Sequence, residues 1–161
     1  MRHTISILVE NKFGALTRIA GLFSGRGFNI DSLNVAPTQE KSVSRMTIVT
    51  TGDDATLEQV IKQLEKLVDV LEVIDFRDGE SVERELVLIR LGVDAAQRAE
   101  VMQVVEIFRA EIVDVFPDNL TIEITGSEGK ITRFLELLNG YNVIEISRSG
   151  KIALRSEASA D

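Results

Sequence analysis

The 161-residue chain has no cysteine and no tryptophan, and it has only two prolines, one tyrosine and one histidine. Without cysteine there is neither a disulfide framework nor a thiolate metal site, and a reducing cytoplasm is compatible with that usage. The single histidine, His3, sits at the start of a strand with no partner nearby in sequence, so it reads as a polar strand-end residue and not as a base or a ligand. Serines such as Ser44 and Ser147 have no further imidazole to activate them. Positive charge is also short. The net charge is −8, with 9 basic and 12 acidic groups in residues 1–80 and 9 and 14 in residues 81–161. Neither half is basic enough for a phosphate backbone. Aromatics make up 5% of the chain, and Ser44–Thr50, which would form the reading platform of an RNA-binding sheet, has none. The opening residues MRHTISILVENK lack the apolar run of a signal peptide, and no window offers about 18 consecutive apolar residues. The expectation is a cytoplasmic protein.

Phosphate-loop spacings are missing too. Neither GxxxxGK[ST] nor GxGxxG occurs, and "GSEGK" at Gly126–Lys130 reads as a turn into a helix. An acylphosphatase-type loop needs an arginine among glycines at the first turn, whereas Arg18 lies a turn inside the helix that follows. Glu83 and Glu85 stand at i, i+2 on a strand and face the same way. They read as a solvated edge, with a cation pair as the alternative. Asp53-Asp54 reads as a helix start, where carboxylates meet the positive end of the dipole. No catalytic residue, cofactor or metal is expected.

What is present is hydrophobic periodicity, arranged twice over. His3–Glu10 alternates, with Ile5, Ile7 and Val9 on one face. Leu16, Ile19, Ala20 and Phe23 then follow helical spacing, and Gly25 and Gly27 stop the helix. Ile30–Ala36 and Ser44–Thr50 read as strands around the hairpin loop Pro37–Ser42. Leu57, Val60, Ile61, Leu64, Leu67 and Val68 form a second helical stripe, capped by Thr56 with Gln59 or by Asp54. Val70–Phe76 completes a βαββαβ string. After the polar linker Arg77–Ser81 the order repeats: Arg84–Gly92, a helix through Val101, Val104, Val105 and Phe108, strands Ile112–Phe116 and Leu120–Thr125, a helix through Ile131, Phe134, Leu135 and Leu138, and Val143–Ser147. The expected class is α+β, with two ferredoxin-like βαββαβ domains over residues 1–77 and 82–155 and a frayed tail over 156–161. Such small domains have marginal cores, which favours an oligomer. Leu8 and Val49, offset by one residue from the inward set, are expected to help cover the open face of the first sheet.

The stretch "ENKFGALTRIAGLFSGRGFNI", Glu10–Ile30, carries no catalytic group but surrounds a helix with asparagines and glycines. Free N–H groups of Phe13, Gly14, Ala15 and Leu16 at the helix N-terminus suit a carboxylate or phosphate. Gly14 lets a ligand approach the backbone, Asn11 adds an amide beside it, and Asn29 in the next turn offers an oxygen to an ammonium. Together these describe a site for an α-amino acid. The alternative is purely conformational: Asn11 and Gly14 form a turn, and Asn29 is a left-handed residue after the helix.

"ISILVENKFGALTRIAGLFSGRGFNIDSLNVAPT" followed by "SRMTIVT" resembles the regulatory small subunits of acetohydroxyacid synthase, also called acetolactate synthase. The likeness continues through "LEQVIKQLEKLVDVLEV", "VERELVLIRL", "EIFRAEIVDV", "TGSEGKITRFLELL" and "VIEISRSGKIALRS". It implies that residues 1–77 are an ACT domain, a sensing module that pairs edge to edge with a second copy and holds its effector at the interface. The implied effector is valine, with leucine and isoleucine as further candidates. The implied partner is a separate catalytic subunit that carries thiamine diphosphate, magnesium and FAD, and the small subunit itself binds none of them. It activates that enzyme and confers feedback inhibition in branched-chain amino acid biosynthesis, as a homodimer or a dimer of dimers. Carried over by position, the effector loop is Asn11, Lys12, Phe13, Gly14, Ala15 and Leu16, with Asn29 and Ile30 from the facing chain. A stand-alone amino-acid sensor and a small enzyme on the same scaffold are the alternatives.

Overall fold

The computed structural model describes residues 1–77 and 79–159. Its contacts divide the chain into one unit of Met1–Val82 together with the chain from Lys151 onward, and another of Glu83–Gly150.

In the first unit the order is β1 (Arg2–Glu10), α1 (Ala15–Gly25), β2 (Asn29–Pro37), β3 (Val43–Thr51), α2 (Asp54–Glu65) and β4 (Val70–Phe76). The strands form an antiparallel sheet in the order β2-β3-β1-β4, which leaves β2 at one edge. Alternation along β1 and β3 sends Ile5, Ile7, Val9, Met46 and Ile48 into a core shared with Ala15, Ile19 and Phe23 of α1 and Leu57, Val60 and Leu64 of α2. Each large aliphatic or aromatic side chain buried there contributes about 1.5–3 kcal/mol.

Helix boundaries follow local chemistry that periodicity does not see. Asp53, not Thr56 or Asp54, caps α2: its carboxylate accepts from the Thr56 N–H at 3.1 Å and from the Thr56 hydroxyl at 3.0 Å. The same helix ends at Glu65, so Val68 lies beyond the apolar stripe and is 90% exposed. α1 stops because Gly27 takes a left-handed φ of 75°. Asn29 is the first residue of β2 and is not left-handed, which removes the conformational alternative at that position.

The open face of the first sheet is not solvated. Val49 is fully buried there, with Thr4, Ser6 and Thr47 also buried and Leu8 half-buried. A strand that periodicity missed, β9 (Ile152–Arg155), lies against β1 and buries Ala153. The strand after β4, β5 (Ser81–Gly92), begins in the same unit with Ser81 and Val82. β9 therefore groups with the first unit, although its sequence position suggested the second. At four residues it is too short for alternation to register. In the linker, Arg77 and Glu80 close a turn, with the Glu80 N–H donating to the Arg77 carbonyl at 3.0 Å; Asp78 lies outside the described residues. The tail is more ordered than expected. The Ser156 N–H donates to the Glu80 carbonyl at 2.8 Å, and Glu157–Ser159 form a 3-10 turn. Residues 160 and 161, also assigned to the frayed tail, lie outside the described residues.

The second unit repeats the plan with the rest of β5, then α3 (Ala95–Ile107), β6 (Glu111–Val115), β7 (Asn119–Gly126), α4 (Glu128–Leu137) and β8 (Asn142–Arg148) in the order β6-β7-β5-β8. Its core joins Val87, Ile89, Leu91, Ile122 and Ile124 to Val101, Val105, Ile131 and Phe134. "GSEGK" is a helix start, as expected: the Ser127 hydroxyl accepts from the Lys130 N–H, and Lys130 Nζ donates to the Thr125 carbonyl at 2.9 Å. Glu85 is no solvated acid. Arg148 grips it through two hydrogen bonds, Nε to Oε1 at 2.7 Å and Nη2 to Oε2 at 3.0 Å, and this bond raises the guanidinium pKa further.

Tyr141, the sole tyrosine, donates its hydroxyl proton to Glu100 of α3 at 2.9 Å. Losing that proton would set a phenolate against a carboxylate, so the phenol pKa is raised, first by this hydrogen bond and then by desolvation. The raised value means that the contact stabilises fully below the ordinary tyrosine pKa of about 10 and is lost as pH climbs through the higher one. With no tryptophan to interfere, tyrosinate absorbance reads this titration directly. The midpoint should lie above the ordinary value and fall back in Glu100→Gln; equal midpoints would show that the bond does not persist in solution.

Among the described residues, no helix is long and apolar enough to cross a membrane.

Candidate functional site

The β1–α1 connection, residues 11–14, is built from two anchored residues, one exposed phenylalanine and one glycine. The Asn11 N–H donates to the Ser42 carbonyl at 2.8 Å, and its side-chain Nδ2 donates to the Lys41 carbonyl at 3.1 Å. The β2–β3 hairpin loop thus fixes Asn11 from the side. The Lys12 N–H turns back to the Glu10 carbonyl at 2.8 Å, and its ammonium pairs with the Glu10 carboxylate at 2.6 Å. That hydrogen bond and the attraction of Glu10 raise the lysine pKa. Phe13 stands wholly in solvent.

Gly14 precedes the helix with φ 82° and ψ −7°, and it gives no side-chain cap. The left-handed angle costs an ordinary residue about 1–2 kcal/mol, which glycine avoids. No side chain caps α1, so the helix N–H groups stay open. The Ala15 N–H makes a long 3.4 Å contact to the Lys12 carbonyl, and the Arg18 backbone N–H donates to the Gly14 carbonyl at 3.1 Å. Among the described residues, the N–H groups of Phe13, Gly14, Leu16 and Thr17 meet no protein acceptor. They lie at the positive end of an 11-residue helix. Ala15 is buried and anchors the first turn, while Leu16 is 44% exposed beside the open amides.

Asn29 and Ile30 lie past the other end of α1. At 1.5 Å per residue the helix separates the two groups by about 16 Å within one chain. Asn29 is exposed, and its Nδ2 donates to Asp31 Oδ1 at 3.0 Å. That bond turns the amide oxygen away from Asp31. The Asn29 carbonyl accepts from the Thr50 hydroxyl at 2.6 Å. Ile30 is half-buried against the core. The structure therefore brings Asn11 through Leu16 together and sets Asn29 and Ile30 apart from them, on edge strand β2. That strand holds no lysine, and Pro37 is its last residue. Little on it discourages pairing with another strand.

Two features of this site are invisible in the linear sequence. Arg18 Nη2 pairs with Asp69 Oδ2, and the Asp69 carbonyl accepts from the Glu10 N–H at 2.8 Å. A Cβ placed on Gly14 would lie 3.2 Å from Arg18 Nη1, so the guanidinium overhangs the glycine. Arginine at i+4 reaches back over the preceding turn by ordinary helix geometry, but only the fold brings Asp69 to meet it.

His3 proves less isolated than expected. Its Nε2 lies 2.8 Å from Asp54 Oδ1, and its Nδ1 lies 3.3 Å from Asp75 Oδ1. Carboxylates beside both ring nitrogens tie α2 to β4 through β1. Among the described residues, no cluster of His, Asp or Glu is arranged to hold a metal ion.

The family model described as "AHAS small subunit-like ACT domain" matches residues 5–72, and that described as "Small subunit of acetolactate synthase" matches residues 84–157. The probable acetolactate synthase small subunit of Archaeoglobus fulgidus is 51% identical over 96% of this chain and 96% of its own length. The chain belongs to the acetolactate synthase small-subunit family. Another member of the family, from Aquifex aeolicus, is 48% identical over 98% of this chain and 83% of its own length. The crystal structure of the acetolactate synthase small subunit from Thermotoga maritima superposes with a TM-score of 0.88 at 41% identity, covering 97% of this chain and 98% of that one. The expected α+β plan of two ferredoxin-like domains, the first an ACT domain, is thereby met.

Proposed function

We propose that this chain is the non-catalytic regulatory subunit of acetolactate synthase, raising the activity of a separate catalytic subunit and transmitting feedback inhibition by valine. Membership of the small-subunit family supports the assignment of partner. The observation that carries the effector reading is the division of polar groups between the two ends of α1. Open amides of Phe13, Gly14, Leu16 and Thr17 suit a carboxylate, and the Asn29 side chain suits an ammonium, yet one small zwitterion cannot span about 16 Å. Pairing of two β2 edges supplies the missing half from a second copy. Asn11 and the loop amides then hold the acid group, Asn29 of the facing chain holds the amino group, and Leu16 with Ile30 gives the aliphatic side chain an apolar neighbour. Ala15 holds the loop from beneath, and Lys12 and Phe13 contribute main-chain atoms to it.

An effector held between two chains stabilises one placement of the paired ACT domains. Regulation needs the catalytic subunit to prefer another placement, with a coupling of about 1–3 kcal/mol. The ligand must favour the inhibited arrangement, since equal affinity for both shifts nothing.

Acetolactate formation by the catalytic subunit, measured with and without this chain and with and without valine, tests the assignment. Stimulation that valine reverses is the expected result. Valine binding without any effect on the synthase would make the chain a stand-alone sensor. Turnover by the chain alone would make it an enzyme.

A further inference from the structure

Arg18 stands where the proposed site still lacks charge. The open amides of the loop are neutral donors, and Lys12 is drawn off by Glu10 at 2.6 Å. Arg18 is different, because its guanidinium has a fork of donors and Asp69 engages only one side of it through Nη2. Nη1 projects over Gly14, 3.2 Å from the Cβ position that the glycine leaves empty. Asp69 is itself held, with its side chain 16% exposed and its carbonyl bonded to the Glu10 N–H at 2.8 Å. A half-exposed arginine would ordinarily roam through many rotamers. This one is fixed at both ends, by its helix and by Asp69, and it points back past the N-terminus of α1.

Resting on the effector reading above, we propose that Arg18 is a positioning residue for the effector's carboxylate, clamped by Asp69 so that its Nη1 side completes the ring of main-chain donors around Gly14. The ligand class follows from the chemistry. A planar, charged fork beside neutral amides selects a carboxylate over an uncharged amide or alcohol of the same shape. Valine should therefore bind well and valinamide poorly, and Arg18 should carry much of that difference. The arrangement also bears on glycine at position 14 beyond its backbone angle, since a Cβ there would crowd Arg18 Nη1 at 3.2 Å.

The test is calorimetric titration of the full chain with valine and with valinamide, in the wild type and in Arg18→Met, Arg18→Gln and Arg18→Lys, each checked for folding by circular dichroism. Loss of a hydrogen bond to a charged group is expected to weaken valine binding by about 10- to 100-fold in the two neutral variants. Valinamide binding should hardly change, so the preference for valine collapses, and lysine should restore part of it. A merely structural arginine would affect both ligands alike. Arg18→Gln keeps a polar head without the charge, so it decides the matter if Arg18→Met fails to fold. Wild-type preference retained in a folded neutral variant overturns the role of Arg18 and leaves the site standing. A wild-type chain that binds no valine overturns the site itself, and this inference with it.

Discussion

Gly14→Asp is expected to abolish the response to valine while leaving a folded protein that still activates the synthase. Aspartate tolerates φ 82° better than most residues, so the backbone penalty is modest. The side chain does the damage. Its Cβ would arrive 3.2 Å from Arg18 Nη1, and its carboxylate would pair with that guanidinium and occupy the space meant for the effector's acid group. Two like charges in one small site disfavour each other strongly. A loss of at least about 100-fold in valine affinity is expected, from one charge-assisted contact removed and one repulsion added. Calorimetry measures it, and unchanged affinity would show that the site lies elsewhere. The same variant tests whether two chains share the site. Gly14→Asp chains co-expressed with Asn29→Ala chains form mixed dimers in which one site carries both changes and the other carries neither. Valine binding should reappear in the mixture, at reduced stoichiometry and with wild-type affinity. No recovery would mean that Asn11, Gly14 and Asn29 do not act across a pair of chains.

Phe23→Ala should destabilise the ACT domain by about 3–5 kcal/mol. The ring is fully buried and meets Phe28 edge to face, with centroids 6.5 Å apart at 89°. Its carbonyl also accepts from the N–H groups of Arg26 at 3.2 Å and Phe28 at 3.0 Å, closing the last turn of α1. Phe23 therefore fixes both the tilt of α1 on the sheet and the point where the chain enters β2. Removing it leaves a cavity beneath Phe28, one residue before Asn29. Urea unfolding followed by circular dichroism should show the lower midpoint, and valine affinity should fall as well because Asn29 loses its fixed approach. A cost under about 1 kcal/mol would mean that the helix is held by the rest of the core and that the ring is dispensable.

Much of this was legible from residue order. Alternation in His3–Glu10 and helical spacing in Leu16–Phe23 gave the elements because burying one face of a strand or helix imposes those periods on the side chains. The loop residues Asn11 and Gly14 were legible because turns and helix starts draw on few residue types. Other parts were not. Val68 fits the helical period but lies outside the helix, because the N–H groups of Lys66 and Leu67, just past Glu65, turn back to the Gln63 and Leu64 carbonyls. β9 escaped notice since four residues carry too little pattern. His3 looked partnerless because Asp54 and Asp75 are 51 and 72 positions away.

By itself the sequence determined a small, acidic, cysteine-free α+β chain with two similar halves and a glycine-asparagine loop before its first helix. Only the tertiary structure decided that Asp69 meets Arg18 above Gly14, that Asn11 is held by the β2–β3 hairpin, and that Asn29 lies a full helix length from the loop. The physical reason is range. Periodicity, turn preference and capping are set by neighbours within about four residues along the chain, whereas ion pairs and shared sites depend on which distant segments the packed core brings side by side.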